Sequence, residues 1–145
     1  MGLDMNLEGR KYIGYDKDKD ALGKLLQNMH GIKHKISSIT VDLAYWRKFN
    51  ALHSAFQENE TLEEGSDKIY IDEDFFKSIL KKMKAVQKDH SQAEELFPTQ
   101  SGFFYGDTSY DDWYFQAIDE SIKIFEKLLS EKIFESYDIY YTASW

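Results

Sequence analysis

Leu3, Met5 and Leu7 alternate with Gly2, Asp4 and Asn6, a period of two that predicts a half-buried strand. Arg10 to Tyr15 is expected to return beside it as a partner strand. At the other end, Tyr137, Ile139, Tyr141 and Ala143 share one face of an aromatic and β-branched segment. Chain ends fray unless something ties them down, so this last strand is expected to pair with the first in one antiparallel sheet. Lys68-Ile69-Tyr70-Ile71 reads as one more short strand.

Between these segments the apolar spacing lengthens to three and four. Helix one is expected to begin near Thr40 as N-cap, with a core stripe of Val41, Tyr45, Phe49, Leu52 and Phe56. Asp72 is expected to cap helix two, whose apolar positions are Phe75, Phe76, Ile79, Leu80, Met83 and Val86. Glu73 and Asp74 open that helix and Lys81, Lys82, Lys84 and Lys88 close it, all complementing the dipole. Helix three is expected to open at Ser109, with Asp112 in a short capping box. Residues 16–40 begin with a solvated charge run, allow a short helix over Ala21 to Met29, and read as a mobile insertion. The pattern predicts an α+β fold in one domain, residues 1–145. Its sheet is small and mainly antiparallel, with the N- and C-terminal strands paired and about three helices covering one side.

At 145 residues the chain can bury a real core without staples. Aromatics reach 16%, so rings replace aliphatics in the core and are expected at the surface as well. With no cysteine there is neither a disulfide nor a thiolate metal site, and a cytoplasmic address is the default. No apolar run approaches the roughly 20 residues of a membrane span, and Met1 to Met5 has no signal-peptide character. The net charge of −8 divides into +3 over residues 1–50 and −11 over the rest. Such a chain repels phosphate backbones, which argues against direct nucleic-acid binding. It leaves a basic pocket in the first third, or an acidic face offered to a basic partner.

The stretch from Leu96 to Tyr110 holds the one proline, Gly102 and Gly106, and three adjacent aromatics, Phe103, Phe104 and Tyr105. A loop this rich in rings and hydrogen-bonding groups is either packed hard against its own domain or shaped to hold something. On helix one, Trp46, Asn50, His53 and Gln57 fall on one stripe with Arg47 beside it. Trp offers a stacking face, Asn and His offer donors and acceptors, and Arg offers a fork for phosphate or carboxylate. An ordinary amphipathic helix would carry the same residues. Taken with Thr99, Gln100, Ser101, Phe104 and Tyr105, they compose the candidate ligand-binding set.

No catalytic residues are assigned. His53 is the best placed acid–base group, but no nucleophile motif accompanies it. His30 and His34 stand four apart without the acidic neighbour of a zinc helix, and no metal or cofactor is expected.

Three segments carry a resemblance: Ala44-Tyr45-Trp46-Arg47-Lys48-Phe49-Asn50-Ala51-Leu52-His53, Phe97-Pro98-Thr99-Gln100-Ser101-Gly102-Phe103-Phe104-Tyr105-Gly106, and Tyr140-Tyr141-Thr142-Ala143-Ser144-Trp145. With the opening Met1-Gly2-Leu3-Asp4-Met5, they resemble an uncharacterised family of small bacterial and phage proteins. Its members read roughly Y-W-R-K-x-N-x-I-H, L-P-T-Q-S-G-F-F-F-G and Y-Y-x-S-S-W. Phe97 and Ala143 stand where members often have Leu and Ser. Such sequences are sometimes labelled phosphoglycerate kinase. That label does not carry over, because the chain is far too short for a two-domain kinase and lacks its nucleotide motifs.

The resemblance implies a phage or mobile-element protein acting against host defence in the host cytoplasm. The function expected is a non-enzymatic binding protein that sequesters a small phosphorylated or nucleotide-like molecule, either as a monomer or as a homo-oligomer. Two alternatives stay open: an inhibitor of a host defence protein working through acidic helices two and three, and a small hydrolase or transferase using His53.

Overall fold

Leu3, Met5 and Leu7 are fully buried while Asp4, Asn6 and Glu8 are not, so the opening alternation is that of a strand with one face on the core. The computed structural model describes residues 2–13, 17–31, 33–34, 36–61 and 68–145. In chain order it contains β1 (Asp4–Tyr12), α1 (Lys17–His30), β2 (Ser38–Arg47), α2 (Asn50–Phe56), β3 (Ile69–Ile71) and α3 (Glu73–Lys88). A single 3-10 turn at His90–Gln92 leads into α4 (Ala93–Leu96), α5 (Asp112–Ser130), α6 (Ile133–Ser136) and β4 (Asp138–Ser144).

The fold is α+β, with a four-stranded antiparallel sheet in the order β2-β1-β4-β3. The first and last strands are neighbours at its centre, Met5 opposite Ala143 and Leu7 opposite Tyr141. Gly9 faces Tyr137 closely. A side chain there would put its Cβ 2.9 Å from the Tyr137 ring.

The expected return strand over Arg10 to Tyr15 does not form. β1 runs on to Tyr12 and takes β2 and β4 as its antiparallel partners, while Gly14 and Tyr15 lie outside the described residues.

Helix one is a larger correction. Residues 38–47 are strand, and the helix is only Asn50–Phe56, so Thr40 caps nothing. Ile39, Thr40, Val41, Tyr45 and Trp46 are β-branched or aromatic, and the free edge of β1 offers each backbone group a ladder partner. Pairing with β1 overrides the spacing of four. The ladder slips by one residue between Leu7 and Glu8, so that Ala44 and Asp42 are paired and Leu43 is passed over. Tyr45 therefore points away from the core and is 55% exposed, while Trp46 takes the inward place.

Residues 17–30 of the expected insertion form α1, and Ser38–Thr40 belong to β2, while Asp16, Ile32 and Lys35 are outside the described residues.

The other elements follow from their caps and stripes. Asp72 accepts the N–H of Phe75 at 2.8 Å and opens α3, whose Phe76, Ile79, Met83 and Val86 are fully buried. α5 starts at Asp112 rather than Ser109. Its cap is Asp111, which accepts Tyr114 N–H at 3.0 Å, while Ser109 closes an upstream turn by donating its N–H to Asp107 at 2.8 Å. The aromatic surplus is largely core. Phe76 stacks on Phe125 at 4.0 Å between centroids, and Phe56 on Tyr141 at 4.3 Å. Among the described residues, no helix is long and apolar enough to cross a membrane.

Candidate functional site

α2 brings Asn50 and His53 onto the face that meets the aromatic loop, and both are buried. The Asn50 side-chain N–H groups donate to the carbonyls of Tyr105 (3.2 Å) and Asp107 (2.9 Å), and its Oδ1 accepts the N–H of Gln100 at 3.0 Å. One amide thus satisfies three backbone groups along the loop. Thr99 adds a strap, its hydroxyl donating to Thr108 C=O at 2.8 Å and its N–H to the Tyr110 hydroxyl at 3.2 Å. Gly102 lets the turn close, since a Cβ there would sit 2.5 Å from the Tyr105 ring.

His53 is wholly enclosed. Its Nδ1 lies 2.6 Å from the Tyr141 hydroxyl and its Nε2 lies 3.1 Å from the Tyr105 hydroxyl. A neutral imidazole has one N–H and one lone pair, so one tyrosine donates to it and the other accepts. The rings of Tyr105 and Trp145 meet it edge-on at 5.0 and 5.4 Å. Burial lowers the His53 pKa to about 4 and, with neighbouring Tyr105, raises Tyr141 well above the usual tyrosine value. The ring is a neutral hydrogen-bonded bridge between α2, the loop and β4.

Trp46 is also structural. It is 8% exposed, donates its indole N–H to Ser121 at 3.0 Å, and packs on Phe56 and Phe125. Of the expected set, Asn50, His53, Gln100 and Tyr105 converge, and they do so to hold the loop down. Ser101 is exposed. The side-chain oxygen of Gln100 is buried without a partner. Phe104 is held in the left-handed region (φ 71), and its carbonyl accepts Leu3 N–H at 3.1 Å. With Phe103, which is 82% exposed, it presents two rings edge to face at the tip of a fixed turn.

Arg47 stands apart from the clamp, on the surface. Next to it is Lys48, left-handed (φ 55), its N–H tied to Leu3 C=O at 2.8 Å; a Cβ added at Gly106 would lie 3.2 Å from the Lys48 Cβ. Arg47, Lys48, Gly106, Asp107, Asp111 and Trp113 line an open cleft of about 520 Å³. Arg47 has one acidic neighbour, Asp4, at 4.0 Å, and Lys48 has no ion pair among the described residues. Trp113 lines the cleft and is 49% exposed. Both carboxylates of the cleft already accept hydrogen bonds: Asp107 from Ser109, which holds its pKa below the usual range, and Asp111 from Tyr114. Two cations beside an exposed indole can take an anionic group on one side and a flat ring on the other.

Sequence reading missed Lys48 and Trp113. Only the location of Trp113 on the first turn of α5, next to an exposed cap, hints at its exposure. Among the described residues no three His, Asp or Glu side chains gather as a metal site would require.

Comparison with family models, with curated proteins and with solved structures found no match to this chain.

Proposed function

We propose that this chain is a non-enzymatic binding protein that holds a small phosphorylated, nucleotide-like ligand in the cleft of Arg47, Lys48 and Trp113. The carrying observation is the placing of Lys48, which has no ion pair among the described residues, and Arg47, whose acidic neighbour Asp4 stands 4.0 Å away, beside a half-exposed indole in a cleft of about 520 Å³. That volume falls within the usual range of small-molecule sites. Phosphate meets the Arg47 fork and the Lys48 ammonium, a base stacks on Trp113, and the Asp107 and Asp111 carboxylates accept from sugar hydroxyls or an exocyclic amine. The enclosure of His53 supports a non-catalytic role, because the one well-placed acid–base group is neutral and out of a substrate's reach. The resemblance to small phage proteins supports sequestration of a host signal as the biological use.

The test is calorimetric titration with nucleoside mono- and diphosphates and dinucleotides, followed by recovery of the bound molecule after heat denaturation. Saturable binding with the ligand recovered intact is expected. A chemically altered product would establish an enzyme, and absence of binding across the panel would remove the reading.

A further inference from the structure

β2 is an edge strand, and one stretch of that edge has unspent backbone groups beside an apolar furrow. In an antiparallel ladder the N–H and C=O of successive residues point alternately to opposite sides. Lys48 N–H goes to Leu3, and Trp46 is paired with Met5 across the ladder. The same alternation turns the N–H and C=O groups of Tyr45 and Arg47 away from β1. Among the described residues no strand takes them, because the sheet ends at β2. Between this edge and α5 lies a furrow of about 250 Å³. Trp46, Phe49, Ala117 and Ile124 give it an apolar lining, and the exposed Gln116 and Glu120 stand on the α5 side.

Free strand-edge groups beside an apolar furrow suit an extended peptide, whose main chain joins the sheet while alternate side chains drop into the furrow. We propose that the Ala44–Arg47 edge of β2 accepts such a peptide as an added strand, one in which apolar and acidic residues alternate. The alternation follows from what each side of the added strand would face. Side chains turned towards α5 meet the apolar lining. Side chains turned to the open sheet face lie beside Tyr45 and Arg47. Asp4 shares Arg47 only at 4.0 Å, so the guanidinium keeps donors for a second carboxylate. Glu120 lies on the furrow side and disfavours an acid there, which fixes the phase of the pattern. The ladder slip at Leu43 breaks the edge beyond Ala44 and limits the docked segment to about four residues.

This inference does not rest on the nucleotide reading. The two sites share Arg47 and Trp113, but Lys48 and Gly106 line only the cleft, whereas Ala117 and Ile124 line only the furrow.

The probe is an array of end-blocked hexapeptides alternating Leu or Phe with Asp or Glu. Matched arrays carry Lys in place of the acids, or an N-methyl group on single backbone nitrogens. The acidic array should bind the full-length protein, the Lys array should not, and N-methylation at alternate positions should weaken binding at least tenfold. Arg47→Glu should reverse the preference towards the Lys array. Ala117→Trp should fill the furrow and abolish peptide binding, and Glu120→Lys, on the exposed rim, should relax the phase in case the first variant folds poorly. Lys48→Ala should leave peptide binding within threefold even if it abolishes nucleotide binding. Absence of binding to either array, or binding insensitive to N-methylation at every position, would overturn the proposal.

Discussion

The side-chain oxygen of Asn50 accepts the backbone N–H of Gln100 at 3.0 Å, joining two residues fifty positions apart. Together with its donations to Tyr105 and Asp107, this makes Asn50 the peg on which the aromatic loop hangs. The loop can therefore show Phe103 and Phe104 to solvent while its backbone stays fixed.

Removing that peg orphans two carbonyls and one N–H in a largely buried setting. Asn50→Ala should cost about 3 kcal/mol of stability, since an unsatisfied buried group costs about 1–3 kcal/mol and part of the loop can turn to water. Chemical denaturation measures the loss, and hydrogen exchange at Gln100 should accelerate in the variant. A loss below about 0.5 kcal/mol with Gln100 still protected would show that the loop is held elsewhere.

His53 gives the fold a distinct pH dependence. Its pKa falls from an ordinary 6.5 to about 4 on folding, so the unfolded chain binds the proton more readily than the folded one. The stabilisation is complete above about pH 6.5 and is lost as pH falls through 4, for a total of about 3 kcal/mol at about 1.4 kcal/mol per unit. Asp89 and Asp107, held low chiefly by Ser91 and Ser109, lose their contributions at lower pH than this window. Denaturation series between pH 7.5 and 4 should therefore slope in the wild type and flatten in His53→Gln. A flat wild-type profile would mean that the imidazole is not held neutral.

Much of the fold was legible in the sequence because its signals are local. The period of two at Leu3 to Leu7, the Asp72 cap with its lysine-rich helix end, and the terminal strands all appear as read. What misled was residues 40–47, where a helical spacing of apolar positions coincides with strand-forming residue types. Only the distant edge of β1 decides between them. The candidate site shows a second limit of local reading. Asn50 and His53 carry the donors and acceptors of a binding pocket, but their partners are a loop backbone and two tyrosine hydroxyls from distant parts of the chain. Residue type shows what a side chain can bond, not whether the fold has already bonded it.

Trp46 and Arg47 are adjacent and should behave oppositely. Trp46→Ala removes a buried indole packed on two phenylalanines and strands the Ser121 hydroxyl, costing about 3–5 kcal/mol of stability. Arg47→Ala, at an exposed position, should change stability by less than about 0.5 kcal/mol. Melting curves of the two variants decide it. A stable Trp46→Ala protein would return the indole to a ligand site.

β4 lies between β1 and β3, so removing Tyr137 to Trp145 takes out an interior strand and the Tyr141 partner of His53. The truncated chain should lose cooperative unfolding and its near-ultraviolet circular dichroism. Retention of a native-like melting transition would contradict the observed strand order.

The proposed ligand sits against the exposed trio Arg47, Lys48 and Trp113 rather than in the buried cluster on α2. The most direct measurement is nucleotide affinity of Arg47→Ala and Trp113→Ala beside wild type, with melting temperature recorded on the same samples. Arg47→Ala should lose about 2–4 kcal/mol of binding through its charge-assisted hydrogen bonds, and Trp113→Ala about 1–3 kcal/mol of stacking. Both should melt close to wild type. Unchanged affinity in both variants, with the wild type binding nucleotide, would place the site elsewhere on the chain.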